Sequence, residues 1–224
     1  MAVQPLNFQP IPIDQGYLRA KRIVDVTFTL LLLPALCLLL VILGLLVRLD
    51  SPGPIFYRQK RVGLNGNEFT LLKLRSMYAD CDDEVHRASF KRYMNGEKLT
   101  HHARTSVPYK LEHDPRITRV GRFIRKTSLD ELPQFFNVLR GEMTLVGPRP
   151  PIPYEVDLYQ AHDWLRLSGK PGLTGYWQVY GRSQVTFQEM VELDIDYLRS
   201  QSLRQDLRLI VLTIPVMFKG HSGA

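Results

Sequence analysis

Two adjacent carboxylates, Asp130 and Glu131, carry the strongest chemical signal in this sequence. Three arginines lie near them along the chain, namely Arg122, Arg125 and Arg149. A carboxylate beside a guanidinium stays ionised, and an ionised carboxylate can attack phosphorus or hold a divalent cation. These residue types therefore indicate phosphate chemistry.

The same residues also fit a structural role. Ser128 and Glu131 match the S-x-x-E capping box, and acidic side chains are favoured in the first turn of a helix. A helix that began after Ser128 would place Pro133 at about its fifth position, where the ring clashes with the preceding turn. A helix that begins near Pro133 instead leaves both carboxylates ahead of its N-terminus, where free N–H groups favour phosphate. The residues alone leave both interpretations open.

An apolar, leucine-rich segment at residues 23–47 carries a single charge, Asp25. As one straight helix it would extend about 37 Å, against a hydrocarbon core of roughly 30 Å. It is followed by RLDSPGP rather than by a small-residue cleavage site, so a cleaved signal peptide is not expected. The segment is predicted to anchor the chain in a membrane.

The path of this anchor depends on Pro34 and on the charged flanks. Pro34 removes one backbone donor and crowds the Leu30 carbonyl, so a bend is expected there. A kinked spanning helix is the ordinary outcome. Basic residues nevertheless flank both ends of the segment, and they are Arg19, Lys21, Arg22, Arg48, Arg58, Lys60 and Arg61. Such residues favour the cytoplasmic side, and a re-entrant hairpin satisfies both flanks at once.

The composition agrees with an anchored protein. The net charge of +7 and pI near 9.5 suit an anionic membrane face, lipid phosphate, nucleotide or nucleic acid. No nucleic-acid partner is expected, because the sequence has no recognisable module and such a function leaves the anchor unused. Cys37 and Cys81 offer no disulfide framework. At 224 residues one domain with a sizeable core is expected.

Five ungapped motifs occur in order along the chain: KRIVDVTF, DSPGPIFYRQKRVG, FTLLKLRSM, FIRKTSLDELPQFFNVLRGEMTLVGPRP and PGLTGYWQVYGRS. Together they closely resemble the bacterial sugar transferases known as monotopic phosphoglycosyl transferases. The resemblance covers residues 21–219. One departure is Leu33, which stands before Pro34 where the family often has serine.

The resemblance implies an α-rich α+β fold with a re-entrant, helix-break-helix membrane segment that breaks at Pro34. It also implies a small cytosolic catalytic domain and interfacial amphipathic helices. The expected divisions are an extension at 1–20, an anchor at 21–49 and a catalytic domain at 50–224. The expected location is the bacterial inner (cytoplasmic) membrane, with the catalytic domain on the cytoplasmic face and in contact with membrane lipid. An oligomer is compatible with the sequence.

The activity that the resemblance implies is transfer of a sugar 1-phosphate from a UDP-sugar to polyprenyl (undecaprenyl) phosphate, with release of UMP. Asp130 would be the nucleophile, Glu131 a ligand of Mg²⁺, and Arg125, Arg149 and Arg182 contacts of the phosphates. The segment GYWQVYGRS resembles transferases of hexose 1-phosphate for exopolysaccharide or O-antigen more than it resembles transferases of modified amino sugars. A catalytically inactive membrane adaptor of the same fold is the alternative. An adaptor would be recognised by loss of the carboxylate pair, which is intact.

Other candidate binding residues lie on either side of the core motif. The segment FTLLKLRSM is either a strand or a helix start, and on a strand Lys73 and Arg75 share a face and can bind an anion. A solvated pair is the alternative. Gln178 and Arg182 supply polar ends to PGLTGYWQVYGRS.

Helices are predicted at 81–94, 187–200 and 206–219, the last broken by Pro215, and helical spacing runs through 154–167. The tract from 80 to 114 contains His86, His101, His102 and His113. We predict no metal site there, because no cysteine or carboxylate falls at a zinc-finger spacing.

Overall fold

The computed structural model describes residues 8–78, 84–94, 114–181 and 185–219. Its helices are α1 (Gln15–Asp50), α2 (Glu84–Met94), α3 (Arg119–Lys126), α4 (Gln134–Arg140), α5 (Pro153–Val156), α6 (Phe187–Ser200) and α7 (Leu203–Lys219). Its strands are β1 (Phe56–Val62), β2 (Glu68–Leu74), β3 (Thr144–Val146) and β4 (Gly172–Thr174). The fold is mostly helical with two small sheets, which confirms the α-rich α+β prediction. His101, His102 and His113 lie outside the described residues.

Helix α1 begins earlier than the predicted anchor. Asp14 caps it by accepting a hydrogen bond from the Tyr17 N–H at 2.6 Å, so the first helical residue is Gln15. The helix is continuous through Pro34 to Asp50, and the predicted helix-break-helix form is not confirmed. One proline removes a single backbone hydrogen bond, because it has no N–H, and leaves the turns on either side hydrogen-bonded.

Helix α1 has one buried face and one exposed face. Its buried residues follow one another at intervals of three, four or seven positions, as one helix face requires, and include Lys21, Asp25, Thr29, Leu36, Leu40, Leu43 and Val47. The opposite face exposes Ile23, Leu30, Leu31, Leu38, Val41, Ile42, Leu45 and Leu49. Among the described residues α1 is the one helix long and apolar enough to cross a membrane. It is a possible membrane anchor.

The two sheets flank the core motif. Strands β1 and β2 pair antiparallel, with Phe56 opposite Leu74 and Val62 opposite Glu68, so the FTLLKLRSM segment is largely a strand. Strands β3 and β4 pair parallel. A Cβ at Gly172 would lie 2.1 Å from the Gly147 N atom, and this close approach explains the glycine in β4.

The C-terminal half differs from its predictions in two places. Helix α6 has the predicted bounds, but α7 continues through Pro215 instead of breaking there. The segment 154–167 is not one helix. It divides into α5 and a 3₁₀ turn at Asp163–Ser168, because the Asp163 carboxylate accepts from the Gln160 N–H at 2.9 Å and starts a new turn.

Candidate active site

The chain turns sharply just before the carboxylate pair. Helix α3 ends at Lys126, and Ser128 adopts a left-handed conformation with φ 55° and ψ 18°. A 3₁₀ turn then spans Leu129–Glu131. Left-handed residues other than glycine are strained, and such strain concentrates at functional sites. This strained turn sets the direction in which Asp130 and Glu131 project.

The structure decides between the two interpretations of the core motif. Helix α4 begins directly after Pro133, which agrees with the second interpretation. The capping box is absent, because Ser128 makes no side-chain capping bond and Glu131 binds another residue. The expectation of free N–H groups at the N-terminus of α4 was wrong for three amides. The amides of Leu132, Phe135 and Phe136 donate to nearby carbonyls at 3.0–3.3 Å, so an anion must rely mainly on side chains here.

Glu131 forms an ion pair with Lys73 of β2. The Lys73 Nζ donates to Glu131 Oε1 at 2.8 Å, and the two side chains are 21% and 42% exposed. The pair is thus partly open to solvent, so its Coulomb attraction is screened. It connects β2 to the turn that carries Asp130, which is itself only partly exposed. Lys73, predicted as an anion contact, therefore lies at the carboxylate pair.

Arg75 does not share this position, contrary to the prediction that it binds substrate on the same face as Lys73. It follows the end of β2 and is buried. Its guanidinium donates to the Ser51 carbonyl at 2.6 Å, the Ser51 hydroxyl at 2.9 Å and the Pro52 carbonyl at 2.7 Å. Arg75 stabilises the turn that follows α1, because that turn presents several backbone carbonyls to one guanidinium.

The predicted phosphate-binding arginines occupy different surroundings. Arg125 lies in the last turn of α3. Its charge acts on Asp114. A hydrogen bond from Arg116 is the main cause that lowers the pKa of Asp114, burial opposes this lowering, and the Arg125 charge lowers the same pKa by a smaller amount. The Arg149 guanidinium lies 3.4 Å from the Glu155 carboxylate, which also accepts from the Ile152 N–H at 3.0 Å.

The two remaining candidates lie on the segment after β4. Gln178 donates through its Nε2 to the Leu173 carbonyl at 3.2 Å. Its Oε1 is buried and has no hydrogen-bond partner within the part of the chain that the structure describes. The predicted phosphate contact Arg182 lies outside the described residues.

A buried charged network supports the loop that carries Arg149, and the sequence analysis missed it. Arg166 donates to Asp194 of α6 at 2.5 Å, with both side chains 1% exposed. The same guanidinium donates to the Arg149 carbonyl at 3.3 Å and to the Tyr159 hydroxyl at 2.8 Å. Burial raises the pKa of Asp194 to about 6, and the Arg166 charge opposes that rise.

Helix α1 is bonded directly to the elements that carry the site. The Arg22 guanidinium donates to the carbonyls of Val138 and Leu139, at the C-terminus of α4, at 2.5 and 2.7 Å. At the other end of α1, the Asp50 carboxylate accepts from the Val120 N–H of α3 at 2.9 Å. The helices before and after the carboxylate turn are therefore both attached to α1.

A magnesium ion is compatible with this site. The described residues contain no group of three or more His, Cys, Asp or Glu side chains able to hold a metal. Magnesium, however, commonly takes one or two carboxylates and completes its shell with water and substrate phosphates. Glu131 fits that pattern as a single carboxylate ligand. A metal at Glu131 would compete with the Lys73 ammonium.

Comparison with known proteins identifies related chains. The family model described as bacterial sugar transferase matches residues 16–220. The exopolysaccharide production protein ExoY of Sinorhizobium fredii is 40% identical over 212 residues, which are 92% of this chain and 91% of ExoY. The galactosyl transferase CpsE of Streptococcus agalactiae is 42% identical over 206 residues, but these are only 43% of CpsE.

A third relative is the undecaprenyl-phosphate galactose phosphotransferase of Salmonella typhimurium, 39% identical over 199 residues. The match covers 89% of this chain and 40% of that protein. The chain thus spans less than half the length of CpsE and of the Salmonella relative, and nearly the full length of ExoY.

Proposed function

Because the chain belongs to the bacterial sugar transferase family, we propose that it transfers a hexose 1-phosphate from a UDP-sugar to polyprenyl phosphate and releases UMP. The observation that carries the proposal is the carboxylate pair on a strained turn, with Lys73 bound to Glu131 at 2.8 Å. A relative named undecaprenyl-phosphate galactose phosphotransferase supports the lipid acceptor. The name of ExoY supports a role in making exopolysaccharide.

The proposed reaction has two half-reactions. An Asp130 carboxylate oxygen attacks the phosphorus that bears the sugar, the bond from that phosphorus to the UMP oxygen breaks, and UMP leaves. A phosphate oxygen of the lipid then attacks the same phosphorus and displaces Asp130, which regains its carboxylate. A covalent carboxylate intermediate divides one difficult step into two. It also lets a soluble donor and a bilayer-bound acceptor react without meeting.

The other residues hold and neutralise the phosphates. Glu131 would hold magnesium when it binds, and the ion would supply positive charge to neutralise the diphosphate. Lys73 carries a positive charge next to this site, and its ammonium could bind a phosphate oxygen. Arginines are suited to the same task because the guanidinium binds phosphate in a bidentate manner, and we assign that role to Arg125, Arg149 and Arg182.

The test is to incubate the detergent-solubilised protein with a panel of UDP-sugars and undecaprenyl phosphate and to measure UMP. Wild-type protein should release UMP with one or more hexose donors. Asp130→Asn should release less than a few per cent as much, because an amide is not an anionic nucleophile. Asp196→Asn, an exposed carboxylate on α6, is the matched control and should retain full turnover.

Retained turnover in Asp130→Asn, after mass spectrometry has excluded deamidation, would contradict the covalent mechanism. Absence of UMP release from the wild type with every donor would instead favour a membrane adaptor. An exchange of labelled UMP into UDP-sugar without any lipid is the further signature of the first half-reaction.

We further propose that both ends of α1 lie on the cytoplasmic face, with its exposed leucines in one leaflet. Near one end Arg22 is bonded to α4, and at the other Asp50 is bonded to α3. A spanning helix would place α3 and α4 on opposite sides of a hydrocarbon core of roughly 30 Å. Only the short turn that contains Leu129–Glu131 connects these two helices. The exposed stripe of α7, formed by Leu207, Val211 and Ile214, is a second surface suited to the interface.

Thiol labelling tests this topology in intact cells. Single cysteines at Gln4 and Ser222, in a background without Cys37 and Cys81, should both resist an impermeant reagent added outside. Both should react after permeabilisation. Labelling of position 4 from outside would show that the anchor spans the membrane, and it would leave the chemistry at Asp130 unaffected.

A further inference from the structure

Asn137 lies within α4 and is completely buried. Its Oδ1 accepts from the Leu72 N–H at 3.1 Å, and its Nδ2 donates to the Thr70 carbonyl at 2.7 Å. The Nδ2 also donates to Glu142 Oε2 at 2.6 Å. Residues two apart on a strand present their N–H and C=O groups to the same side. The amide of Asn137 therefore binds the edge of β2 as a neighbouring strand would.

This contact joins the two elements that form the Lys73–Glu131 pair. Lys73 directly follows Leu72 on β2, and Glu131 precedes Asn137 by six residues, in the turn that leads into α4. A sliding movement of β2 along α4 would break both hydrogen bonds between the Asn137 side chain and β2. It would also separate the Lys73 ammonium from the Glu131 carboxylate, which are 2.8 Å apart.

We propose that Asn137 is a positioning residue, which fixes the register of β2 on α4 and so holds Lys73 against the carboxylate pair. Its amide is suited to this because it offers an acceptor and two donors, and all three are bonded. An apolar side chain of similar size fills the space but leaves the Leu72 N–H and Thr70 carbonyl without these partners, at the cost of a buried unsatisfied group. The effect on turnover rests on the function proposed above, whereas the positioning of Lys73 does not.

The first measurement needs no substrate. An amine-acylating reagent modifies unprotonated lysines, and peptide mass spectrometry gives the rate at each position. The Lys73 amine is bound to the Glu131 carboxylate at 2.8 Å and must leave that contact before it can react, so the ion pair slows its modification. Asn137→Ala should raise the Lys73 rate about two- to fivefold, the factor expected from loss of a partly exposed ion pair. Lys60, whose side chain is 68% exposed, is the internal reference and should not change.

Two variants calibrate this result. Glu131→Gln removes the carboxylate charge and sets the rate for an unpaired Lys73. Glu142→Ala removes one bond of Asn137 but leaves both of its bonds to β2, so the Lys73 rate should remain within about twofold of wild type. Thermal unfolding, followed by the emission of the buried Trp164 and Trp177, shows whether each variant is folded.

The second measurement is turnover. Asn137→Ala should lower kcat about ten- to hundredfold, as displacement of a site residue by about 1 Å does. In a Lys73→Met background the same substitution should cause little further loss, because the positioned charge is already gone. A general effect on folding would instead multiply the two losses.

An unchanged Lys73 modification rate in a folded Asn137 variant overturns the proposal, and so do multiplicative losses of kcat. Asn137→Ser, which keeps a smaller hydrogen-bonding group, serves if the alanine variant does not fold. If neither variant folds, the role of Asn137 is structural and the proposal is wrong. If the wild type releases no UMP, the proposed function fails, while the modification rates still decide the positioning of Lys73.

Discussion

The attachment of α1 to α4 through Arg22 yields a quantitative prediction. The guanidinium donates to two carbonyls at the end of α4, where the partial negative charge of the helix favours a cation. A hydrogen bond to a charged group contributes about 1.5–3 kcal/mol. For two bonds at a partly buried side chain, we expect Arg22→Met to lower stability by about 2–4 kcal/mol. At this chain length that corresponds to a fall in Tm of about 5–15 °C.

The assay is thermal unfolding in detergent micelles, with tryptophan emission as the signal. Arg19→Met is the matched control, because Arg19 is exposed on the same helix and should shift stability by no more than about 0.5 kcal/mol. Arg22→Lys should fall between the two, because one ammonium does not reproduce the fork of a guanidinium. Equal Tm values for Arg22→Met and Arg19→Met would refute the reasoning.

Three further outcomes are expected. Glu131→Gln should weaken the dependence of UMP release on Mg²⁺, and excess EDTA should abolish wild-type turnover; turnover that is insensitive to EDTA would contradict the metal role. Gly121→Ala should lower Tm strongly, because the new Cβ would lie 2.0 Å from the Ser76 carbonyl oxygen. Asp114→Asn should be less stable than wild type at neutral pH, because Arg116 lowers the folded-state pKa of Asp114 below 3.8. That stabilisation is present above pH 3.8 and disappears as the pH falls through the lowered pKa, so the two Tm values should converge in acid.

Local rules of chain geometry predicted several elements correctly. Of the two starts left open for α4, the cost of proline inside a helix favoured the one near Pro133, and the structure has that start. Period and length gave α6 its bounds. The same proline rule was wrong at Pro215. There the helix continues, since loss of one hydrogen bond is tolerated where the neighbouring turns remain formed.

The contacts of the site were harder to predict, because they join residues that are far apart in sequence. Lys73 and Glu131 are 58 positions apart, and Arg22 and Val138 are 116 apart. No periodicity encodes such pairs. A local signal for Asn137 does exist, since it is a polar residue between Phe136 and Val138 in a short helix. Polar residues at such positions are expected to bond within the core.

The charge inside the anchor shows why α1 and the catalytic unit must be treated as one structure. Asp25 is the single acidic residue of the apolar segment, and an unpaired carboxylate in hydrocarbon costs several kcal/mol. Its oxygens accept instead from the Thr144 hydroxyl at 2.6 Å and the Leu145 N–H at 3.2 Å, both in β3. One turn earlier, Lys21 forms a 2.6 Å ion pair with Asp206 of α7.

These buried polar groups have their partners only when α1 lies against β3 and α7. The exposed apolar face of α1 can be buried in lipid without any contact to the rest of the chain. The charged groups of Asp25 and Lys21, in contrast, find their bonding partners only in the folded domain. Docking of the domain and seating of the anchor are therefore coupled by the unfavourable free energy of leaving these charges unpaired. The turn that carries Asp130 and Glu131 lies between α3 and α4. Its position therefore also depends on α1, because both helices are hydrogen-bonded to α1.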